Sequence, residues 1–311
     1  MLRIVLLVGM ALPIRDLTAQ NAPWQPSPGH TQVPIWPGAV PDARRLAGTE
    51  TAARAESPVA GKPWVYVEFV SQPTMTVYAP SGQNTGAAVI VFPGGGYQIL
   101  AIDLEGTEVC DWLTTRGITC VLLKYRVPGN RRRPHSGPYP DSPDALEDAQ
   151  RTLGLVRQHA AEWHIDPHKI GVLGFSAGGH LVAAMSTHYP RRVYKPVDAA
   201  DSVSCRPDFA VALYPGHLSN QPHPDVLNPD IKVTRETPPQ FIVQAEDDPV
   251  DPVRNSLVYF TALQQAGAPV EMHIFAHGGH AFGLRHTDQP ITDWPLLVEK
   301  WLVTIGAINN E

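Results

Sequence analysis

"VLGFSAGGHL", Val172 to Leu181, sets one hydroxyl, that of Ser176, among residues that carry almost no side chain. A hydrophobic run stops at this serine, and a helical pattern, "AGGHLVAAMSTHY", begins directly after it. The five residues Gly174, Phe175, Ser176, Ala177 and Gly178 fit G-x-S-x-G, in which the serine occupies a strained strand-to-helix turn. Such a turn brings neighbouring backbone so close that side chains at Gly174 and Gly178 would clash. It also sets the hydroxyl at a helix N-terminus, where backbone N–H groups favour negative charge. Short patterns recur by accident, so the surroundings decide.

Working outward, the chain carries apolar runs too continuous for half-exposed strands: residues 87–92, 118–125, 170–175, 209–214, 240–245 and 270–276. Strands buried on both faces read this way. Between them lie helical patterns such as "SPDALEDAQRTLGLVRQHAAEW", with Ser142 as a candidate N-cap, "PVRNSLVYFTALQQAG" and "ITDWPLLVEKWLVTIG". Alternation of this kind predicts an α/β fold: a mostly parallel central sheet with helices on both faces. "WVYVEFV" and "TMTVYAP" read as a hairpin-like start to a domain spanning residues 63–311, within reach of a single α/β domain. Residues 20–62, rich in proline and polar residues, read as an extended arm lying on it.

Residues 1–19 are expected to be a secretory signal, with Arg3 as the positive start, Ile4 to Ile14 as the apolar core and Leu17 to Ala19 as the cleavage site. Together they predict a secreted or periplasmic protein with no membrane-spanning segment. A net charge of −6 argues against a nucleic-acid partner, which needs a basic footprint. The arginines of "GNRRRPHSGP" read as solvated surface. Of three cysteines, Cys120 lies in a strand pattern and reads as a small core residue, which leaves Cys110–Cys205 as the bridge open to an oxidising compartment.

An unactivated serine is a weak nucleophile and needs a base, an orienting carboxylate and an oxyanion site. In the order serine, acid, histidine, the sequence supplies both partners after strands: "EDDPVDPVRNS" follows "QFIVQA", and "HGGHAFGL" follows "VEMHIFA". Glu246, Asp247, Asp248 and Asp251 crowd the first loop; His273, His277, His280 and His286 lie near the second. Gly278 and Gly279 break any helical metal-ligand face, so no metal is expected. The strand "VIVF" runs into "PGGGY", whose Gly95 and Gly96 N–H groups, with that of Ala177, are candidates to hold a developing alkoxide. A phosphate loop is excluded because its lysine and hydroxyl are missing.

From about residue 62 to 305 the chain resembles the α/β-hydrolase superfamily, and within it the bacterial acetyl xylan and feruloyl esterases near the hormone-sensitive-lipase-like group. The resemblance rests on "PGGGY" (Pro93 to Tyr97), "GFSAGGH" (Gly174 to His180), "DPVDP" (Asp248 to Pro252) and "GGHAFG" (Gly278 to Gly283). It implies an α/β-hydrolase fold and a triad of Ser176, Asp248 and His280, with Asp247 as the alternative acid and His277 structural. It also implies a small acyl group on plant-wall carbohydrate as substrate, and no cofactor. Two positions depart from the pattern: Asp251 stands where a valine is common, and Pro93 where the sister lipases carry histidine.

Other residues carry two readings. Tyr97 and Trp36 are candidates to stack on a sugar or acyl group, the alternative being a place in the core. Glu105 and Asp103 follow the glycine loop and are candidates to line the pocket. His180 reads as a packing histidine, and Arg126 with Asp148 as a structural pair. Loops 126–144, 190–207 and 216–237 are expected to frame the site. Two rival functions remain at this stage. One is a serine peptidase of the prolyl-oligopeptidase kind, whose large N-terminal propeller the short arm leaves no room for. The other is a binding protein on a dead hydrolase fold, which would typically have lost a triad member.

Overall fold

The computed structural model describes residues 22–129, 137–220 and 223–309. The expected signal, residues 1–19, lies outside them, as do Arg131, Arg132 and Arg133 of the basic cluster. In chain order the first strands are β1 (Gln32–Pro34), β2 (Thr51–Arg54), β3 (Val65–Glu68) and β4 (Thr74–Tyr78). They are followed by β5 (Ala88–Phe92), β6 (Ile99–Leu100), β7 (Thr119–Lys124), β8 (Ile170–Phe175) and β9 (Ala210–Leu213). The last are β10 (Ser219–Asn220), β11 (His223–Leu227), β12 (Gln240–Ala245) and β13 (Val270–Phe275).

Eight of these form the central sheet, in the order β1-β4-β7-β5-β8-β9-β12-β13. Every pairing from β7 to β13 is parallel, and β1 and β4 close the other edge antiparallel. Parallel neighbours need crossovers, and the helices α1 (Glu108–Thr115), α2 (Asp144–Gln158), α3 (Ala177–His188) and α4 (Arg254–Ala266) lie in them, while α5 (Trp294–Thr304) follows the last strand.

Adjacent residues of β12 show the two layers, since successive strand side chains point to opposite faces. Gln240 bonds Ser186 of α3 and Tyr259 of α4, while Phe241 packs on Trp301 of α5. Covered on both sides, β5, β7, β8, β9 and β12 are buried along their whole length. The strand β13 departs from the expectation of full burial. It is the sheet edge, with only β12 beside it, and its residues are half-buried or exposed.

The N-terminal region also differs from its sequence reading. The arm is knit into the domain: β1 adds to the central sheet, β2 pairs with β3, and Ile35 and Trp36 are buried. The two expected hairpin strands part company, β3 joining a small sheet with β2 and β6 while β4 enters the central one. Helix α2 starts after Pro143, without a side-chain cap from Ser142. The disulfide joins Cys110 to Cys120, not to Cys205, which is a buried free thiol. Helix α1 packs directly on β7, the strand that follows it, and this brings the Cα atoms of Cys110 and Cys120 to 5.1 Å.

Candidate active site

Ser176 sits between β8 and α3 with φ 52° and ψ −117°, a left-handed conformation that L-residues rarely adopt. The steric reading of its neighbours holds in detail. A Cβ on Gly174 would strike the carbonyl of Gly178, and one on Gly178 would strike that of Phe92. Ser176 N–H donates to Leu213 O at 3.0 Å, and its carbonyl accepts from His180 N–H at 3.0 Å, so the turn is pinned on both sides.

The loops after β12 and β13 bring Asp248 and His280 to this serine. His280 Nε2 lies 3.0 Å from Ser176 Oγ, and His280 Nδ1 lies 2.8 Å from Asp248 Oδ2. Asp248 is held in turn: its Oδ1 accepts the N–H groups of Val250 and Asp251, and its Oδ2 accepts from Gln244 Nε2. Asp247, the alternative acid, faces elsewhere. It accepts from Gly279 N–H at 2.8 Å and meets His277 at 3.2 Å, which anchors the histidine loop from outside. Burial pushes the His280 imidazolium down. The hydrogen bond and charge of Asp248, with the charges of Asp251 and Glu105, outweigh it, and the net pKa is raised above 6.5.

The "PGGGY" turn lies against the nucleophile. A Cβ on Gly94 would stand 3.0 Å from Ser176 Cβ, and Gly95 holds φ +131°, where a Cβ would strike the Ile99 carbonyl. Gly95 O accepts from Gln98 and Ile99 N–H, and Tyr125 donates to Pro93 O at 2.6 Å, so the turn is fixed from both ends. Ala177 opens α3, and the N–H groups of a first helical turn have no intrahelical acceptor. The candidate oxyanion donors Gly95, Gly96 and Ala177 therefore lie on the two segments that adjoin Ser176.

Glu105 is not at the pocket surface. It is 2% exposed and stands behind the glycine turn, where it accepts Gly94 N–H and the Tyr214 hydroxyl, both at 2.8 Å. A π-helical turn at Asp103–Thr107 directs it inward, and burial raises its pKa. Asp103 likewise serves the backbone, accepting from Val65 and Leu104 N–H. Trp36 is buried too, donating to Asp148 at 2.9 Å, and Asp148 is paired with Arg126 as expected. Tyr97 lines a cavity of about 360 Å³ walled by Val40, Val70, Val127 and Ala145, and its hydroxyl meets His180 Nδ1 at 2.7 Å. Of the three loops expected around the site, residues 190–207 are committed to α2, through Arg151 with Asp198 and Gln150 with Arg191.

Two residues at the site escaped the sequence reading. Tyr214, at the end of β9, packs its ring edge-on to His280 at 4.9 Å, and its hydroxyl links Glu105 to Gly283 N–H. Its position at the carboxyl end of a buried strand was the available signal. Asp251 stands out in the sequence only as a departure from the pattern, with no role attached. Its Oδ2 accepts from Ser176 Oγ at 3.1 Å and lies 3.8 Å from His280 Nε2.

A serine at such a turn, with an imidazole and a carboxylate delivered by later strand ends of a parallel sheet, defines the α/β-hydrolase class. A model described as the prolyl oligopeptidase family matches residues 147–305, just over half of the chain, and the BD-FAE model matches residues 75–212. The chain belongs to the prolyl oligopeptidase family of α/β-hydrolases. An acetylxylan esterase of Xylanibacter ruminicola is 29% identical over 260 residues, 75% of this chain and 48% of that protein. Endo-1,4-beta-xylanase B of Butyrivibrio fibrisolvens is 28% identical over 240 residues, 71% of this chain and 36% of that protein. The chain thus spans half or less of these two curated relatives. Among solved structures, an acetyl ester-xyloside bifunctional hydrolase from Caldicellulosiruptor lactoaceticus is 33% identical with TM-score 0.69, covering 90% of this chain and 97% of that one.

Proposed function

We propose that the protein is a serine carboxylester hydrolase that removes small acyl groups, acetyl foremost, from plant-wall carbohydrate such as xylan. The observation that carries this reading is the Ser176 Oγ to His280 Nε2 contact of 3.0 Å, backed by the 2.8 Å bond from His280 Nδ1 to Asp248. In the first half-reaction Ser176 Oγ attacks the ester carbonyl carbon while its proton passes to His280 Nε2. The carbonyl oxygen takes up negative charge opposite the N–H groups of Gly95, Gly96 and Ala177. The bond to the alcohol oxygen breaks, His280 returns the proton to that oxygen, and an acyl-Ser176 ester remains. Water, deprotonated by His280, then attacks the acyl carbon; the free acid leaves and Ser176 regains its proton. Asp248 keeps Nδ1 protonated and offsets the imidazolium charge formed in each step.

The acetyl and xylan elements of the reading draw on the named activities of the relatives above. The family model carries the name of a peptidase, so a peptide p-nitroanilide belongs in the test as a control. Export from the cytosol is part of the proposal, supported by the N-terminal sequence pattern and by the Cys110–Cys120 disulfide, since such bonds persist in oxidising compartments.

The test is hydrolysis of p-nitrophenyl acetate, butyrate and octanoate, methyl ferulate and acetylated xylo-oligosaccharides by wild type and Ser176→Ala. Acetyl esters are expected to be cleaved fastest, with a loss of about 10⁴–10⁶-fold in the variant. An unchanged rate in Ser176→Ala would remove the serine mechanism.

A further inference from the structure

Ser176 has one proton and two acceptors. Its hydroxyl stands 3.0 Å from His280 Nε2 and 3.1 Å from Asp251 Oδ2. The second contact is built in, because Asp251 is fixed by its neighbours. Its N–H is held by Asp248, its carbonyl by Gln244, and its carboxylate is wedged where a Cβ on Gly216 would come within 2.5 Å. The titratable groups around this carboxylate are His280 and His217, from two other loops, and Asp248 from its own. The valine common in this position would accept nothing.

Attack on an ester requires the Ser176 proton to go to Nε2, and in the acyl-enzyme the Oγ carries no proton at all. In both states Asp251 Oδ2 loses the donor it had at rest. The side chain is only 16% exposed, and a largely buried carboxylate oxygen left without a donor is costly. The replacement must come from what then occupies the site. Asp251 Oδ2 is also 3.8 Å from Nε2, the atom that delivers the proton to the departing alcohol oxygen. It therefore faces the alcohol portion of the substrate, where a hydroxyl on the carbon next to the esterified one comes within reach.

We propose that Asp251 determines alcohol specificity, accepting a hydrogen bond from a free hydroxyl adjacent to the scissile ester, so that the site selects esters of polyols and sugars over simple alkyl esters. This rests on the esterase reading above and narrows it to a substrate class.

The test compares glycerol 1-monoacetate with propyl acetate, which differ by the two hydroxyls, for wild type, Asp251→Val and Asp251→Asn. Wild type is expected to favour the monoacetate in kcat/KM. Asp251→Val should lower that ratio by about 10- to 100-fold, with Asp251→Asn, which keeps a carbonyl acceptor, recovering part of it. If both substrates slow equally in Asp251→Val and the ratio stays at the wild-type value, Asp251 acts only on Ser176 and the specificity role is wrong. A wild-type enzyme inactive on every ester would instead end the esterase reading, and this inference with it.

Discussion

Glu105→Ala and Glu105→Gln, taken as a pair, test whether the glycine turn and the histidine loop are held in register by one buried carboxylate. Glu105 takes Gly94 N–H on one side and the Tyr214 hydroxyl on the other, and Tyr214 continues the link to Gly283, three residues past His280. Truncation to alanine leaves two buried donors without acceptors, each costing about 1–3 kcal/mol. Removing a desolvated carboxylate offsets part of this, so the net loss is expected near the lower end, about 2–3 kcal/mol. At about 1.5 °C per kcal/mol in a chain of this size, Tm falls by roughly 3–5 °C. Loosening the turn that carries the oxyanion donors should lower kcat on p-nitrophenyl acetate by about 10²-fold. Glutamine keeps the length and an acceptor, so Tm and kcat should stay near wild type. One of the charges that raise the His280 pKa is gone, however, and the acid limb of kcat/KM moves to lower pH. Calorimetry and a pH–rate profile read all three quantities. Wild-type Tm and kcat in Glu105→Ala would show that the link carries no load, and equal losses in both variants would show that charge rather than hydrogen bonding is what matters.

In the wild-type enzyme His280 must be neutral to accept the Ser176 proton, and its pKa is raised above 6.5. Activity is therefore present above that raised value and lost as pH falls through it; an acid limb in kcat/KM centred below pH 6.5 would contradict the charge arrangement described. The Cys110–Cys120 bridge closes a loop of sequence separation 10, which the loop-entropy relation makes worth about 3 kcal/mol. Cys110→Ser with Cys120→Ser should lower Tm by roughly 4–5 °C while leaving kcat at 25 °C unaltered, and a variant as stable as wild type by calorimetry would show that the bridge adds nothing.

The parts of this molecule legible in sequence are those fixed by local sterics or by burial. Ser176 was readable because Gly174 answers to a clash with Gly178 only four residues on, and the central strands because burial on both faces leaves no polar alternation. Chain order placed the acid and histidine loops once the strand ends were read, and the family resemblance picked Asp248 and His280 within them. Asp251 was not readable. Four carboxylates share its loop, and the one that turns toward Ser176 is chosen by Asp248 holding two N–H groups and by the missing side chain of Gly216, in a loop beyond another strand. Glu105 was misread for a similar reason: a π-helical turn has no sequence period that reports which way its side chains face. The arm's β1 pairs with β4 more than forty residues later, as the Val33–Met75 register shows, and no local pattern announces such a partner.

The charges around His280 have a common direction. Asp248, Asp251 and Glu105 are all carboxylates, and all three raise its pKa against the effect of burial. While the imidazole is neutral it gains little from them. In the transition state it is an imidazolium, and every one of the three then stabilises it. Interactions that strengthen only as the barrier is crossed raise kcat, whereas those made equally in the ground state do not. A more basic imidazole is also a better acceptor for a serine proton. The cost falls on the acid side, because the same charges protonate His280 earlier as pH drops. Valine in place of Asp251 would relieve that cost and give up part of the stabilisation. A site that keeps the aspartate is therefore set for turnover above the raised pKa of His280, and the same carboxylate is free to read the alcohol once the serine proton has moved to Nε2.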